Sequence, residues 1–344
     1  MNKSEMILQA DMAMIASGLP EVEKLHNKSI LVTGANGMLA AELTRFLIYL
    51  NREQKAGIKI YALSRNGSGL WEKYGGAVEI MAQDVTAPIK IEGKLDHIFH
   101  FAGMADPVSI KRDPVGIIKA NLQGTMNVLE LAREKGACVC FASTREVYGA
   151  MPEGTLKIRE EDMGSLDCTD SRSCYPESKR IAETLLVSYH NQYYVNFTNM
   201  RIAHAYGPGM RLENDGRVMS DFMSDAVHGR DIVLKSAGTA LRAFVYVSDA
   251  VKGILIAVLR GEANTSYNLA NEREEISVKD LAELCCELAP TDIKVVFDTD
   301  ADQSGYTKFT RVALDTSKLE ALGWEPDIEL REGIARTLEY YEKE

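Results

Sequence analysis

Short apolar runs alternate with amphipathic stretches along the N-terminal half of the chain. "KSILVT" (28–33), "IKIYALS" (58–64), "AVEIMAQDV" (77–85), "HIFHFAG" (97–103) and "CVCFAST" (138–144) are rich in β-branched and aromatic residues. Most lack strict polar alternation, which predicts strands covered on both faces. Between them, apolar positions at helical spacing predict helices from Leu39 to about Asn51 and from about Pro114 to Lys135. A further helix is expected from about Tyr175 to Tyr193, followed by a strand within "VNFTNMRIAHAYG" (195–207). Strand–helix alternation of this kind specifies an α/β fold with a doubly wound parallel sheet of the Rossmann type. After Gly207-Pro208 the pattern becomes irregular, without internal repeats or a Gly/Ser linker. The expected division is an N-terminal helical extension (1–27), a main sheet domain (28–205) and a smaller, interleaved C-terminal α/β domain (206–344).

Composition narrows the function classes. The chain has 344 residues, 46% hydrophobic, enough for a substantial core. Its formal net charge is −11 and no basic run occurs, which excludes a broad nucleic-acid or anionic-membrane surface. A local basic pocket for a small anion remains compatible. No apolar run reaches membrane-spanning length, and Glu5 and Asp11 in the first helical stretch are unlike a signal peptide. Six cysteines (Cys138, Cys140, Cys168, Cys174, Cys285 and Cys286) fit no zinc spacing, so no metal is expected. They read as reduced thiols of a cytoplasmic protein.

"VTGANGMLA" joins the first strand to the first main helix. Gly34 permits a tight turn, Gly37 lets backbone N–H groups approach a pyrophosphate, and Ala40 is small enough for helix-on-strand packing. This strand–turn–helix context makes the glycines a dinucleotide-binding candidate, with Asn36, Met38 and Leu39 beside them. The second strand ends in "ALSRN" rather than in an acidic residue. Ser64 and Arg65 there suit the 2′-phosphate of NADP more than the free ribose of NAD; the alternative is an exposed arginine. Asp84, followed by Val85, either accepts from an adenine amino group or caps a turn. Phe101, Ala102, Gly103 and Asn121 complete the cofactor-binding candidates.

"RSCYPESKR" places Tyr175 and Lys179 four residues apart, on one face of a helix. An ammonium near a phenol favours the phenolate, and a phenolate can take a hydroxyl proton while hydride leaves the same carbon. Earlier in the chain, "STRE" (143–146) ends a strand with a hydroxyl (Thr144), a cation (Arg145) and an anion (Glu146) side by side.

On these residues the chain resembles the extended short-chain dehydrogenase/reductases, in their nucleotide-sugar epimerase/dehydratase group. The resemblance runs from about 28 to 340. It is nearest the UDP-glucuronate decarboxylase (UDP-xylose synthase) branch, through "ADPVSIKRDPVGIIKANLQGTMNVLELA" (105–132), "RSCYPESKRIAETL" (172–185), "ENDGRVMSDF" (213–222) and "RAFVYVSDAVKGI" (242–254). The resemblance implies a retained NAD or NADP that transiently oxidises carbon 4 of a nucleotide-diphosphate sugar. Thr144 would bond the 4-hydroxyl, Tyr175 would be the base, and Lys179 would orient the nicotinamide ribose. Glu146 would sit beside carbons 5 and 6. Asp106, His204, Arg217, Arg242 and Arg311 would face the substrate. A homodimer joined through a four-helix bundle, built on the two long helices, is also implied.

Three places depart from the family pattern: Arg145, His204, and Met104-Ala105-Asp106-Pro107 after "HFAG". A guanidinium cannot donate a proton at neutral pH, which argues against 4,6-dehydration. Arg145 either recruits a carboxylate that is lost or holds one that is kept, as a uronate 4-epimerase requires. A non-catalytic dinucleotide sensor is the reading from a different class, and Thr144, Tyr175 and Lys179 count against it.

Overall fold

A computed structural model describes residues 2–298 and 312–342. Seven parallel strands form the central sheet: β1 (Ser29–Thr33), β2 (Lys59–Ser64), β3 (Glu79–Ala82), β4 (His97–His100), β5 (Cys138–Thr144), β6 (Phe197–Ile202) and β7 (Thr265–Leu269). Their spatial order is β7-β6-β5-β4-β1-β2-β3. The order reverses between β1 and β4, and in open sheets of this kind ligands bind outside the carboxyl ends of the strands at such a point. Thr33 lies level with Leu63 and His100, and Thr144 with Ile202. The ends carrying "VTGANG", "ALSRN" and "STRE" therefore share one edge of the sheet. β7 comes from the C-terminal half yet pairs with β6 over Thr265–Leu269, so the two halves of the chain interleave.

Helices cover both faces, which is why the central strands are apolar throughout. On one face α1 (Lys3–Gly18), α2 (Met38–Glu53) and α8 (Val247–Arg260) bury Met12, Ile15, Phe46, Leu47 and Ile254 with Trp324. On the other, α5 (Pro114–Lys135) and α6 (Cys174–Tyr193) bury Val128, Leu129 and Leu186 against Phe141 and Ile98. Between these elements lie two short helices, α3 (Gly67–Tyr74) and α4 (Pro107–Arg112). A third cluster joins α7 (Val218–Val227), α9 (Val278–Leu288) and α11 (Leu330–Tyr341) around Met223, Phe244, Tyr246, Leu281 and Ile334. The short α10 (Ser317–Glu320) precedes α11.

The N-terminal extension is part of the body. Asn2 and Glu5 close a capping box on α1. The buried Asp11 accepts from Tyr246 at 2.9 Å and from Arg336 at 2.7 Å. α1 is thus tied to the C-terminal half by buried hydrogen bonds as well as by apolar contact.

Candidate active site

The turn after β1 has the backbone its glycines suggest. Gly34 lies at φ +70°, and a Cβ there would fall 2.9 Å from the backbone of Ala102. Only glycine meets both conditions. Gly37 is the N-cap of α2 and donates to the Gly34 carbonyl at 2.8 Å. No side chain caps α2, whereas Asn2, Asp113 and Ser277 cap α1, α5 and α9. The first-turn N–H groups of α2 are thereby left for an anion. Asn36 donates to Ser64 Oγ and to the Asn66 carbonyl, both at 2.9 Å. Its Oδ1 is shielded from solvent and meets no donor among the described residues. Met38 and Leu39 pack toward the third cluster.

Arg65 is exposed at the end of β2, with Nη2 3.9 Å from Met104 Sδ, and its charge acts on Asp84. Asp84 Oδ1 accepts from the Thr86 N–H at 2.9 Å and from its hydroxyl at 2.8 Å. Through Oδ1, Asp84 therefore caps the turn. These bonds, led by the backbone one, hold the Asp84 carboxyl below its ordinary range. Val85 is buried against Gly124, where a Cβ would meet it at 2.8 Å. Phe101 stacks on Phe99 at 6.3 Å, and the Ala102 N–H donates to Thr33 Oγ1 at 3.2 Å. A Cβ on Gly103 would lie 2.8 Å from Asn121 Oδ1. Asn121 is buried and donates to Ser178 Oγ at 2.8 Å, while its Oδ1 finds no donor among the described residues. An uncapped helix end, a glycine cradle and two unmatched carboxamide acceptors form a surface that fits a dinucleotide.

The "STRE" segment passes from β5 into a single 3₁₀ turn (Arg145–Tyr148). Thr144 Oγ1 accepts from the Glu146 N–H at 3.2 Å and also bonds the Tyr175 hydroxyl. Glu146 meets Arg172, whose Nη2 lies 2.9 and 2.8 Å from its two carboxylate oxygens. Both charges act on the buried Tyr175. Arg145 points elsewhere, and its Nη2 donates to the Val312 carbonyl at 3.2 Å.

The expected effect of Lys179 on Tyr175 is not what the geometry gives. The Lys179 ammonium donates to the Ala142 carbonyl at 2.8 Å and stands over the Phe141 ring at 4.6 Å. Burial pushes it down to about 8, opposed by Glu183. Burial pushes the Tyr175 phenol up, and Glu146 adds to this; Thr144, Arg217 and Arg172 oppose it. The groups that most favour the phenolate are these three, ahead of the lysine. The reason is that Lys179 finds a backbone acceptor on β5.

Toward the C-terminal half, Asp106 caps α4 by accepting from the Ser109 N–H at 2.8 Å. Arg217 forks onto the buried Asp215, with Nε at 2.5 Å and Nη2 at 2.7 Å, and feels the charges of Asp106 and Tyr175. Arg242 donates to the Leu241 carbonyl at 2.8 Å. His204 has φ +45°, with its ring 5.8 Å from Phe244. The left-handed backbone explains why a residue such as Asn or His occupies this position. Arg311 lies outside the described residues.

Two features escaped sequence reasoning. Arg172 stands in the "RSCY" stretch, but its partner Glu146 is 26 residues away. Beneath β5, Glu183 accepts from Ser143 at 2.5 Å and pairs with Arg201 at 2.6 Å. Arg201 also bonds Tyr148, which donates to Asn268 of β7. This buried network fixes the strand end from below.

The family model for the NAD dependent epimerase/dehydratase family matches residues 30–270. UDP-glucuronic acid decarboxylase 6 of Arabidopsis thaliana is 36% identical over 90% of this chain and 87% of its own length. UDP-glucuronic acid decarboxylase 1 of Xenopus tropicalis is 34% identical over 92% and 73%. Among solved structures, an epimerase from Methanothermobacter thermautotrophicus superposes with a TM-score of 0.80 at 23% identity, covering 95% of each chain. A Bacillus cereus UDP-glucuronic acid 4-epimerase variant, solved with a UDP-sugar and NAD, superposes at 0.76 and 18% identity, over 91% of this chain and 98% of that one.

Proposed function

Because the chain belongs to the NAD dependent epimerase/dehydratase family, we propose that it is a decarboxylase of UDP-glucuronate, acting through transient oxidation of carbon 4. The observation that carries this reading is the position of Glu146. Its carboxylate lies at the end of β5, where its charge acts on Tyr175, in a chain 36% identical to a UDP-glucuronic acid decarboxylase.

A nicotinamide held here would supply reversible oxidation at carbon 4. As the phenolate, Tyr175 would take the proton of the 4-hydroxyl and give it back at the end. Thr144 orients both partners by its bond to the phenol. Arg217 and Arg172 favour the phenolate, against the burial and the Glu146 charge that raise the phenol. With carbon 4 a ketone, the carboxylate at carbon 6 is β to it. The bond between carbons 5 and 6 breaks, carbon dioxide departs, and the electron pair enters an enolate that is protonated at carbon 5. Lys179 holds the ribose side of the cofactor, near the backbone of β5. The first-turn N–H groups of α2, reached across Gly34 and Gly37 with Asn36 beside them, would hold the pyrophosphate. The cofactor is NAD or NADP; Ser64 and Arg65 favour the 2′-phosphate, and comparing the affinities of both cofactors settles the choice.

Residues 28–205 carry the cofactor side and residues 206–344 the nucleotide-sugar side. The protein forms a homodimer in which α5 and α6 pair with their counterparts. In support, α5 exposes Val115 (60%) and Met126, and α6 exposes Ile181 and Val187. Six free cysteines fit a reducing compartment, the cytoplasm.

The test is to incubate the purified protein with UDP-glucuronate and weigh the nucleotide product. Loss of carbon dioxide is expected. An unchanged mass with inverted carbon 4 would mean a uronate 4-epimerase, and no product would remove the substrate assignment.

A further inference from the structure

Arg172 has no role in the steps above beyond its charge. Its backbone is set by Asp170, which caps the 3₁₀ turn Ser171–Ser173 and accepts from the Arg172 N–H at 2.9 Å. Its side chain runs from this turn, just ahead of α6, to both oxygens of Glu146. Glu146 is held in turn, its N–H on Thr144 Oγ1. One branch of the guanidinium fork is therefore fixed on the active-site strand end. The other branch is not spent. The side chain as a whole is 39% exposed, but Nη1 is shielded from solvent and meets no acceptor among the described residues. A shielded donor without an acceptor is costly, so native proteins retain few of them, and those kept call for an explanation.

We propose that Arg172 is the residue that recognises the carboxylate at carbon 6 of the sugar, through Nη1, while Nη2 stays on Glu146. The proposal rests on the UDP-glucuronate reading above. It moves the role that the sequence suggested for Arg145 to a different cation. Arg145 engages the Val312 carbonyl, and Arg217 spends two donors on Asp215.

The shared guanidinium also removes a chemical difficulty. A lone cation would hold the carboxylate most tightly in the ground state and oppose its loss. Arg172 already carries a counter-charge, so it offers the substrate directional hydrogen bonds with little net attraction. When carbon dioxide leaves, no unpaired cation remains, because Glu146 is still bonded to it. A planar fork that serves two carboxylates at once is a geometry arginine has and lysine lacks.

The test is calorimetric titration of the cofactor-loaded protein, carrying Tyr175→Phe throughout to prevent turnover, with UDP-glucuronate and with UDP-glucose, which differ only at carbon 6. With Arg172 intact it is expected to prefer the uronate. Arg172→Met should weaken UDP-glucuronate binding about 10- to 100-fold and change UDP-glucose binding less than about threefold. Arg172→Lys should recover part of the loss. Glu146→Gln releases the guanidinium from its counter-charge and should tighten UDP-glucuronate binding, a gain that should be largely lost in the Arg172→Met background. Equal losses for both ligands in Arg172→Met, or a uronate preference that survives it, overturn the assignment of Arg172 and leave the decarboxylase reading standing. No uronate preference with Arg172 intact overturns both.

Discussion

Glu42 offers a quantitative test of how α1 is held. It lies on α2, wholly buried, with Oε1 meeting no donor among the described residues and Oε2 3.4 Å from Arg45. Asp11 of α1 adds a second buried carboxylate, itself pushed up to about 6 by burial despite Tyr246 and Arg336. Burial first, and then the charge of Asp11, push Glu42 from 4.5 up to about 8, against the pull of Arg45. Its folded-state proton is therefore held more tightly than its unfolded one. The stability this contributes is complete below about pH 4.5 and is lost as pH rises through about 8. At 1.36 kcal/mol per unit, the loss between about pH 6 and pH 9 is roughly 2–3 kcal/mol. Glu42→Gln removes the titration and keeps the shape. Urea unfolding of both proteins at these two pH values gives the comparison, and the difference in slopes cancels the cost of burying the amide. The wild type should lose about 2–3 kcal/mol more than the variant over this range. Parallel pH profiles would refute the reasoning, and would mean that Glu42 stays ionised in the folded protein.

Other predictions concern the site and the assembly. Gly34→Ala puts a Cβ 2.9 Å from the Ala102 backbone at φ +70°; cofactor affinity measured by fluorescence titration should fall at least about tenfold, and an unchanged affinity contradicts the cradle. Tyr175→Phe should lower turnover by about 10²–10⁴ with UDP-glucuronate affinity nearly retained, and a turnover within a few-fold of wild type would remove Tyr175 from the proton step. If the proposed dimer forms through α6, the wild type should sediment as a dimer and Ile181→Asp, at a 49%-exposed apolar position, as a monomer; a wild-type monomer or an unchanged sedimentation coefficient refutes the bundle.

Local rules explain what was legible in the chain. α5 begins and ends where expected because Pro114 fits a first helical turn and Gly136 takes the left-handed cap at φ +67°. β5 runs from Cys138 to Thr144, as its apolar run requires. β3 is shorter than its apolar pattern, ending at Ala82, because Asp84 folds back onto Thr86 and ends the extended backbone. The site was half legible. The glycine turn and the Tyr175/Lys179 pair are local patterns, readable from spacing. Whether an ammonium reaches a phenol or a carbonyl depends on the neighbouring strand, and Lys179 found Ala142. The Glu146–Arg172 pair depends on how the turn before α6 lies against the end of β5, and no spacing encodes that.

The central claim is that this site removes carbon 6 from a uronate through a carbon-4 ketone. Carrying out the reaction with UDP-glucuronate in deuterium oxide and recording the proton spectrum of the sugar nucleotide tests it most directly. The account predicts a pentose product with one solvent deuterium at carbon 5, placed there when the enolate is protonated. A hexuronate product with inverted carbon 4 and its original proton at carbon 5 would contradict it.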